Sequence, residues 1–559
     1  MTDASRREVF TGVVVTPEGV DSGEREYSRQ AELDGHLATA LFRALARAPG
    51  REVVVDHHPA RRSMNAGMLL AVSLALSRRW RGRLRGKRVG IALPPGIGAF
   101  AANAGVLLAG RIPVNLNFTL GRAAAAACLQ KAGIDTVISA PALQERVPDF
   151  PWPADTLDMR AEIGACGRLS IIGWLLAIRG LPAGWLERRL ALPARGGDAE
   201  AAVLFTSGSA GEPRGVVLSH RNIIGNCLQV RDCGLLRPAD TLIGCLPVFH
   251  SFGFTVTMCY PMLHDVRVAT FPSPLETKRL AEIIAAERAD VLIGAPTFLR
   301  PFLKRAEPEQ MRSLRLVVAG AEKMPRDLYE GFQARFGLAV REGYGLTETS
   351  PVIAVNRPDP VPLAAGEAGD GHRLGSVGLL MAGMRARIVD PTTFEPRAPT
   401  DTGVLAVRGC NVFRGYVDDP DASASVFRDG WFVTGDLARF DEDGFLYIEG
   451  RLSRFSKTGG EMVPHITVEQ TIIQVMGWQD AEAQPVVVVG VPDAAKGEVL
   501  VALTVRHVEL AEMRDRLTAA GLPNLWIPKR VVRVEEIPQL KSGKLDLQGC
   551  RRIAEESGG

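Results

Sequence analysis

From Arg88 onward, short aliphatic runs alternate with helix-like stretches. RVGIALP, FAANAGVLLAG, RIPVNLN, AAAAACLQKAG and IDTVISA follow one another with brief turns between them. Aliphatic runs without polar alternation suit strands buried on both faces, and such strands need helices above and below. The pattern predicts a parallel α/β sheet, because parallel neighbours must be joined by long crossovers. It resumes at AAVLFT and continues through RLVVAG (residues 315–320) and LAVREGYG (residues 338–345).

The style then changes twice. After about Gly378 come short β runs separated by turns, ARIVD, GVLAVRG, WFVTGD and GFLYIEGR, which predict a β-rich subdomain. After Arg451 come VVVVGVPD, VLVALTV, a helix over residues 510–520 and KRVVRVEEIP. That tail of about 108 residues has the size of a small α+β domain. The expected fold class is α/β: a large N-terminal body of parallel α/β sheets with a β-rich subdomain (residues 1–450), then a small mobile α+β C-terminal domain (residues 451–559). The hinge is expected near residues 451–454.

Charge excludes one class of partner. The chain carries 66 basic and 63 acidic side chains, a formal net charge of +3, and this balance gives no footprint for nucleic acid. The eight cysteines include no CxxC pair, so reduced thiols are expected rather than a disulfide framework or zinc site. The opening MTDASRREVF lacks the apolar stretch of a secretory signal, and residues 89–110 are divided by Pro94-Pro95-Gly96 into strand, turn and helix rather than a membrane span. A cytoplasmic location is expected. Residues 170–192 interleave Trp174, Trp185 and several leucines with Arg179, Arg188 and Arg189. Such a segment suits either an ordinary surface helix pair or peripheral contact with an anionic membrane on the inner face.

Chemistry first shows at residues 204–222, LFTSGSAGEPRGVVLSHRN. A strand enters Thr206, Ser207, Gly208, Ser209, Ala210 and Gly211, and Arg214 follows. Glycines free backbone N–H groups to face an anion, hydroxyls add donors and the arginine adds charge, a combination suited to a polyphosphate. It is not a GxxxxGK[ST] loop; on composition alone such a loop is usually a flexible connection. Thr347-Glu348 reads alone as a helix N-terminus, Gly435-Asp436 as a turn, and Lys544 as a solvated surface lysine.

Taken together and in order, these elements resemble the adenylate-forming superfamily, which includes acyl-CoA and acyl-carrier-protein synthetases, peptide-synthetase adenylation domains and luciferases. TSGSAGEPRGV resembles its phosphate loop, with Arg214 in place of the usual lysine. GYGLTE, with Gly343, implies Tyr344 against adenine, Thr347 on the α-phosphate and Glu348, with Thr206, on Mg²⁺. Gly320-Ala321-Glu322 corresponds to the lining of the adenine and acyl pockets, Asp436 of TGD to the ribose ligand, and Arg451 of GR to a nucleotide contact at the end of the large domain. RFSKTGGEMV resembles the small domain's glycine loop, making Lys457 a lesser nucleotide candidate. PQLKSGKLD implies that Lys544 catalyses adenylation. Ser453 stands where the family usually has Asp or Lys as its pivot.

LPVFHSFG (residues 246–253) resembles the stretch of fatty-acid-activating members in which His250 and Phe252 would gate the acyl tunnel. The wider text resembles the synthetase half of the bifunctional acyl-carrier-protein synthetase/2-acylglycerophosphoethanolamine acyltransferases. None of the nine histidines is followed by Asp at the fifth position, so the acyltransferase half is not expected. The resemblance implies ATP- and Mg²⁺-dependent activation of a fatty acid through an acyl-adenylate. The acyl group would then pass to a thiol of holo acyl carrier protein or, alternatively, coenzyme A. A fatty acyl-AMP ligase and a catalytically inactive acyl- or nucleotide-binding scaffold are the other readings.

Overall fold

Pro94-Pro95-Gly96 separates the strand Arg88–Ile91 from the helix Ile97–Leu108, whose first N–H is held by the Asp56 carboxylate at 3.2 Å. This strand is central in a sheet of six. Its neighbours Ile112–Asn115 and Thr136–Ser139 are parallel to it, Asp155–Asp158 lies at one edge, and the hairpin Glu200–Ser207/Pro213–Ser219 closes the other. The computed structural model describes residues 12–207, 213–358, 361–362, 368–459, 461–479, 484–493, 497–539 and 545–557.

A second, nine-stranded sheet has a parallel core in the spatial order Val340–Gly345, Leu316–Ala319, Val291–Gly294, Thr241–Gly244, Arg267–Thr270 and Glu52–Asp56. The last of these comes from far earlier in the chain than its neighbour, pairing Val54 with Val268. Strand after strand here is buried throughout, as in VLIG, LVVA and TLIG. This is the both-faces-covered condition that unalternating aliphatic runs anticipate.

The β-rich region forms a third sheet around Met384–Val389, Gly403–Gly409 and Trp431–Phe440, joined at its edge by Gly19–Asp21 and Val14–Thr16. Its strand Trp431–Phe440 continues by hairpin into Leu446–Arg451. A 3₁₀ turn, Leu452–Arg454, leads directly into Phe455–Thr458, the first strand of a separate five-stranded sheet. In that C-terminal sheet the run Val486–Asp493 alternates between two cores. Val486 and Val488 face Val468, Ile472 and Met513, while Val487, Val489 and Val491 face Cys550 and Ala554 of the last helix. The architecture is therefore a large mixed α/β domain followed by a smaller α+β domain.

Candidate active site

The phosphate-type loop begins and ends in an antiparallel hairpin that sets Arg214 directly opposite Thr206. Cross-strand partners share a face, and both residues line a cavity of about 1540 Å³. Gly208, Ser209 and Gly211 lie outside the described residues, as does the side chain of Ser207.

The strand Val340–Gly345 delivers Gly343 and Tyr344 to the same cavity, and a single 3₁₀ turn, Thr347–Thr349, presents Thr347 and Glu348. The turn folds back so closely that a Cβ on Gly345 would lie 1.9 Å from the Pro351 carbonyl oxygen. Only glycine permits that approach. The Glu348 carboxylate accepts a hydrogen bond from Tyr416 Oη at 3.0 Å, and the Arg214 guanidinium carbon lies 5.5 Å from the centre of the same tyrosine ring. Burial pushes the Glu348 carboxyl above its ordinary value, against the pull of the Tyr416 hydroxyl, Arg451 and Arg214. The Glu348 carboxylate and a threonine hydroxyl are oxygen donors of the kind a hard cation takes, and Arg214 adds positive charge suited to phosphate. Among the described residues no three His, Cys, Asp or Glu side chains form a metal cage. Glu348 and Thr206 both line the cavity and are the residues whose oxygens would hold Mg²⁺ there.

Asp436 owes its position to a bulge. Between Val404/Leu437 and Ala406/Val433 the register of the pair shifts, and Gly435 within the extra residues adopts φ 75°. Bulges of this kind re-aim a side chain out of a regular strand. The buried Asp436 carboxylate accepts hydrogen bonds from Tyr344 Oη and, at 3.1 Å, from Arg451 Nε. Burial raises its pKa, opposed by Arg451 and the Tyr344 hydroxyl. Tyrosine, aspartate and arginine thus form one linked unit on the nucleotide side.

The acyl candidates meet at another wall. Phe252–Cys259 is a π-helix, a form concentrated at functional sites. It sits so near the preceding turn that a Cβ on Gly253 would come within 2.1 Å of the Pro247 carbonyl oxygen. Phe252, His250, Gly320, Ala321 and Glu322 all line the cavity. Ala321 adopts φ 71°, unusual for a residue with a Cβ, and Glu322 is held by the Thr297 N–H at 3.1 Å and by the Thr297 hydroxyl. Ser251 Oγ lies 3.3 Å from Thr347 Oγ1, linking the turn before the π-helix to the 3₁₀ turn Thr347–Thr349. The lining also includes the aliphatic side chains of Val230, Leu235, Leu236, Val256, Ile293 and Val318.

The small domain closes the cavity with Ser456, His465, Gly490, Glu498 and the segment Leu545–Gly549, and Ser453 lines it at the crossing point. Lys544 lies outside the described residues, immediately before Leu545. Lys457 is not brought to the cavity. On the strand Phe455–Thr458 it points opposite to Ser456, which faces the site, and is exposed. The two-residue period of a strand forces one of the pair away. Sequence reasoning passed over Tyr416, a lone tyrosine in RGYVDDP with no local signal, and Ser251, which stands inside the quoted FHSFG stretch.

Fold and site together define one large cavity lined by residues of both domains. The AMP-binding enzyme family model matches residues 41–417 and the AMP-binding enzyme C-terminal domain model residues 468–544. The chain belongs to the AMP-binding enzyme family. It is 30% identical over 445 residues to the feruloyl-CoA synthase of an Amycolatopsis species, covering 78% of this chain and 82% of that protein. It is 30% identical over 377 residues to a long-chain-fatty-acid–CoA ligase of Bacillus subtilis, covering 66% and 64%. Its structure matches ATP-bound MatB from Rhodopseudomonas palustris with a TM-score of 0.72 at 27% identity, covering 93% of this chain and all of that one. These similarities establish an acid-thiol ligase chemistry: ATP-dependent adenylation of a carboxylic acid followed by thioester formation.

Proposed function

We propose that the acid is a fatty acid and the acceptor the phosphopantetheine thiol of an acyl carrier protein. The observation that carries the acyl reading is the aliphatic part of the cavity lining, Val230, Leu235, Leu236, Val256, Ile293 and Val318. At about 1540 Å³ the cavity exceeds the roughly 300–1,000 Å³ of an ordinary small-molecule site, which leaves room for nucleotide and chain together. The likeness of FHSFG, VVAGAEK and GEMV to acyl-carrier-protein synthetases supports the acceptor. The curated relatives named as CoA ligases favour coenzyme A as the second reading.

In this reading Tyr344 stacks on adenine and Asp436 accepts hydrogen bonds from the ribose hydroxyls. Arg214 and Thr347 hold the phosphates. Glu348 and Thr206 hold Mg²⁺, which when bound offsets phosphate charge. Lys544 is assigned the catalytic role, its ammonium stabilising the charge that develops as the acid's oxygen bonds to phosphorus and pyrophosphate leaves. The thiol then displaces AMP from the mixed anhydride. Ser453 lies where the chain would pivot between these two steps.

The test is pyrophosphate release across a chain-length panel of fatty acids, followed by thioester assay with holo acyl carrier protein and with coenzyme A in parallel. Release with medium or long chains and thioester on the carrier protein is the expected result. Thioester on coenzyme A alone transfers the assignment to the second reading. Acyl-AMP without either thioester makes the protein a fatty acyl-AMP ligase, and no release with any carboxylate removes the ligase reading.

A further inference from the structure

Three consecutive helices, Met159–Ala165, Arg168–Gly180 and Ala183–Arg189, form an arm on the large domain that contributes nothing to the reactive cavity. Its inner face is committed. Ile171, Trp174, Leu175 and the buried Ile178 pack on the main core, beside the helix Ala66–Arg83, and the Glu187 carboxylate receives both Nε (2.7 Å) and Nη2 (2.6 Å) of Arg43.

Its outer face is not. Leu169, Ile172 and Leu176 follow the three- and four-residue spacing of one helix face and are 86%, 48% and 65% exposed, with Leu181 and Trp185 at 43% and 47%. Among the described residues eight large hydrophobic side chains stand exposed, and five of them fall between residues 169 and 185. Single exposed hydrophobics are ordinary, but a cluster marks an interaction surface. The charge around it has one sign. Residues 168–195 carry five arginines and one acid, Glu187, which is already engaged. Arg168, Arg179 and Arg189 have no carboxylate partner among the described residues.

We propose that this arm seats the enzyme on the surface of an anionic lipid bilayer, the leucines and Trp185 entering the acyl boundary and the arginines meeting phosphate headgroups. Interleaved tryptophan, leucine and arginine on an amphipathic helix is the composition that lies in such an interface. No single helix of the arm is long enough to span. Its 13-residue helix is about 20 Å long against a hydrocarbon core of roughly 30 Å, and it bends by 77° from the helix before it. A second copy of the chain fits worse, because two-fold contact would set the arginines against themselves with no free acid to meet them.

The test uses the full chain in co-sedimentation with vesicles of phosphatidylcholine alone or mixed with phosphatidylglycerol. It needs no substrate, so its outcome is independent of the acyl assignment. Binding is expected to the anionic vesicles and to weaken with salt. Arg168→Gln, Arg179→Gln and Arg189→Gln should each lower affinity about fivefold, and the combined Leu169→Ser/Leu176→Ser/Trp185→Ser variant should lower it by more than tenfold. Thermal unfolding and adenylation of a short soluble acid should be unchanged in all of them, since every altered side chain is exposed. Absence of binding, equal binding to neutral vesicles or full binding by the triple variant overturns the proposal. So does a lipid-free dimer that the triple variant abolishes.

Discussion

Glu342 stands two residues before Tyr344 with its carboxyl buried, and that burial pushes its pKa up to about 7, against the N–H groups of Gly375 and Met324 and the charge of Lys323. A carboxyl raised from 4.5 in the unfolded chain to about 7 in the folded one keeps its proton through that window only when folded. Its contribution to stability is therefore present below pH 4.5, falls as pH rises to 7 and is flat above, a loss of about 3 kcal/mol. Glu342→Gln should remove that slope from the pH dependence of unfolding, read as the wild-type-minus-variant difference in denaturant midpoint between pH 5 and pH 8. Tyr416 offers the complementary test inside the cavity. Tyr416→Phe keeps the ring beside Arg214 but deletes the hydroxyl that bonds Glu348. A hydrogen bond to a charged group contributes about 1.5–3 kcal/mol to stability, so the unfolding temperature should fall, and with Glu348 no longer held in place KM for MgATP should rise about tenfold; an unchanged KM would remove Tyr416 from the site. Glu348 could be named from GYGLTE because its motif is contiguous. Tyr416 could not, because 68 residues separate it from the carboxylate it holds.

At the scale of elements, the crossing turn Leu452–Arg454 is fastened to the small domain by one buried ion pair. Arg454 Nη2 reaches both Glu469 oxygens at 2.6 Å, and Glu469 also accepts the Val488 N–H at 2.6 Å. Removing one member of such a pair strands the other charge, at about 3–5 kcal/mol. Glu469→Ala should split calorimetric unfolding into two transitions, the small domain melting first. A single transition at the wild-type temperature would show that the pair carries no such weight. The strands and helices themselves were legible, since VVVVGV, LVVA and FAANAGVLLAG announce burial on both faces or on one helix stripe. The π-helix at Phe252–Cys259 and the bulge around Gly435 were not. The first depends on the close approach of Gly253 to the folded-back Pro247, and the second on the register of its pairing with Gly403–Gly409, rather than on a local preference.

For the whole molecule the decisive relation is that both domains line one cavity, with Leu545 and Asp546 of the small domain on its wall. Lys544→Ala should abolish acyl-AMP formation, measured by pyrophosphate release, while leaving thioester formation from supplied acyl-AMP largely intact. Equal loss of both half-reactions would refute the role given to Lys544. The order of motifs along the chain determined the class of chemistry, the α/β character and the change of style near Arg451, because each rests on contiguous residues or on a periodicity of two or 3.6. What only the tertiary structure decided is which strands share a sheet and which side chains share the cavity. Val54 pairs with Val268, Val20 with Ala386, and Tyr344 reaches Asp436 across 92 positions. A buried aliphatic strand presents almost the same surface to every similar neighbour, so the choice among partners is made by the packing of the whole chain and leaves no mark in any one segment.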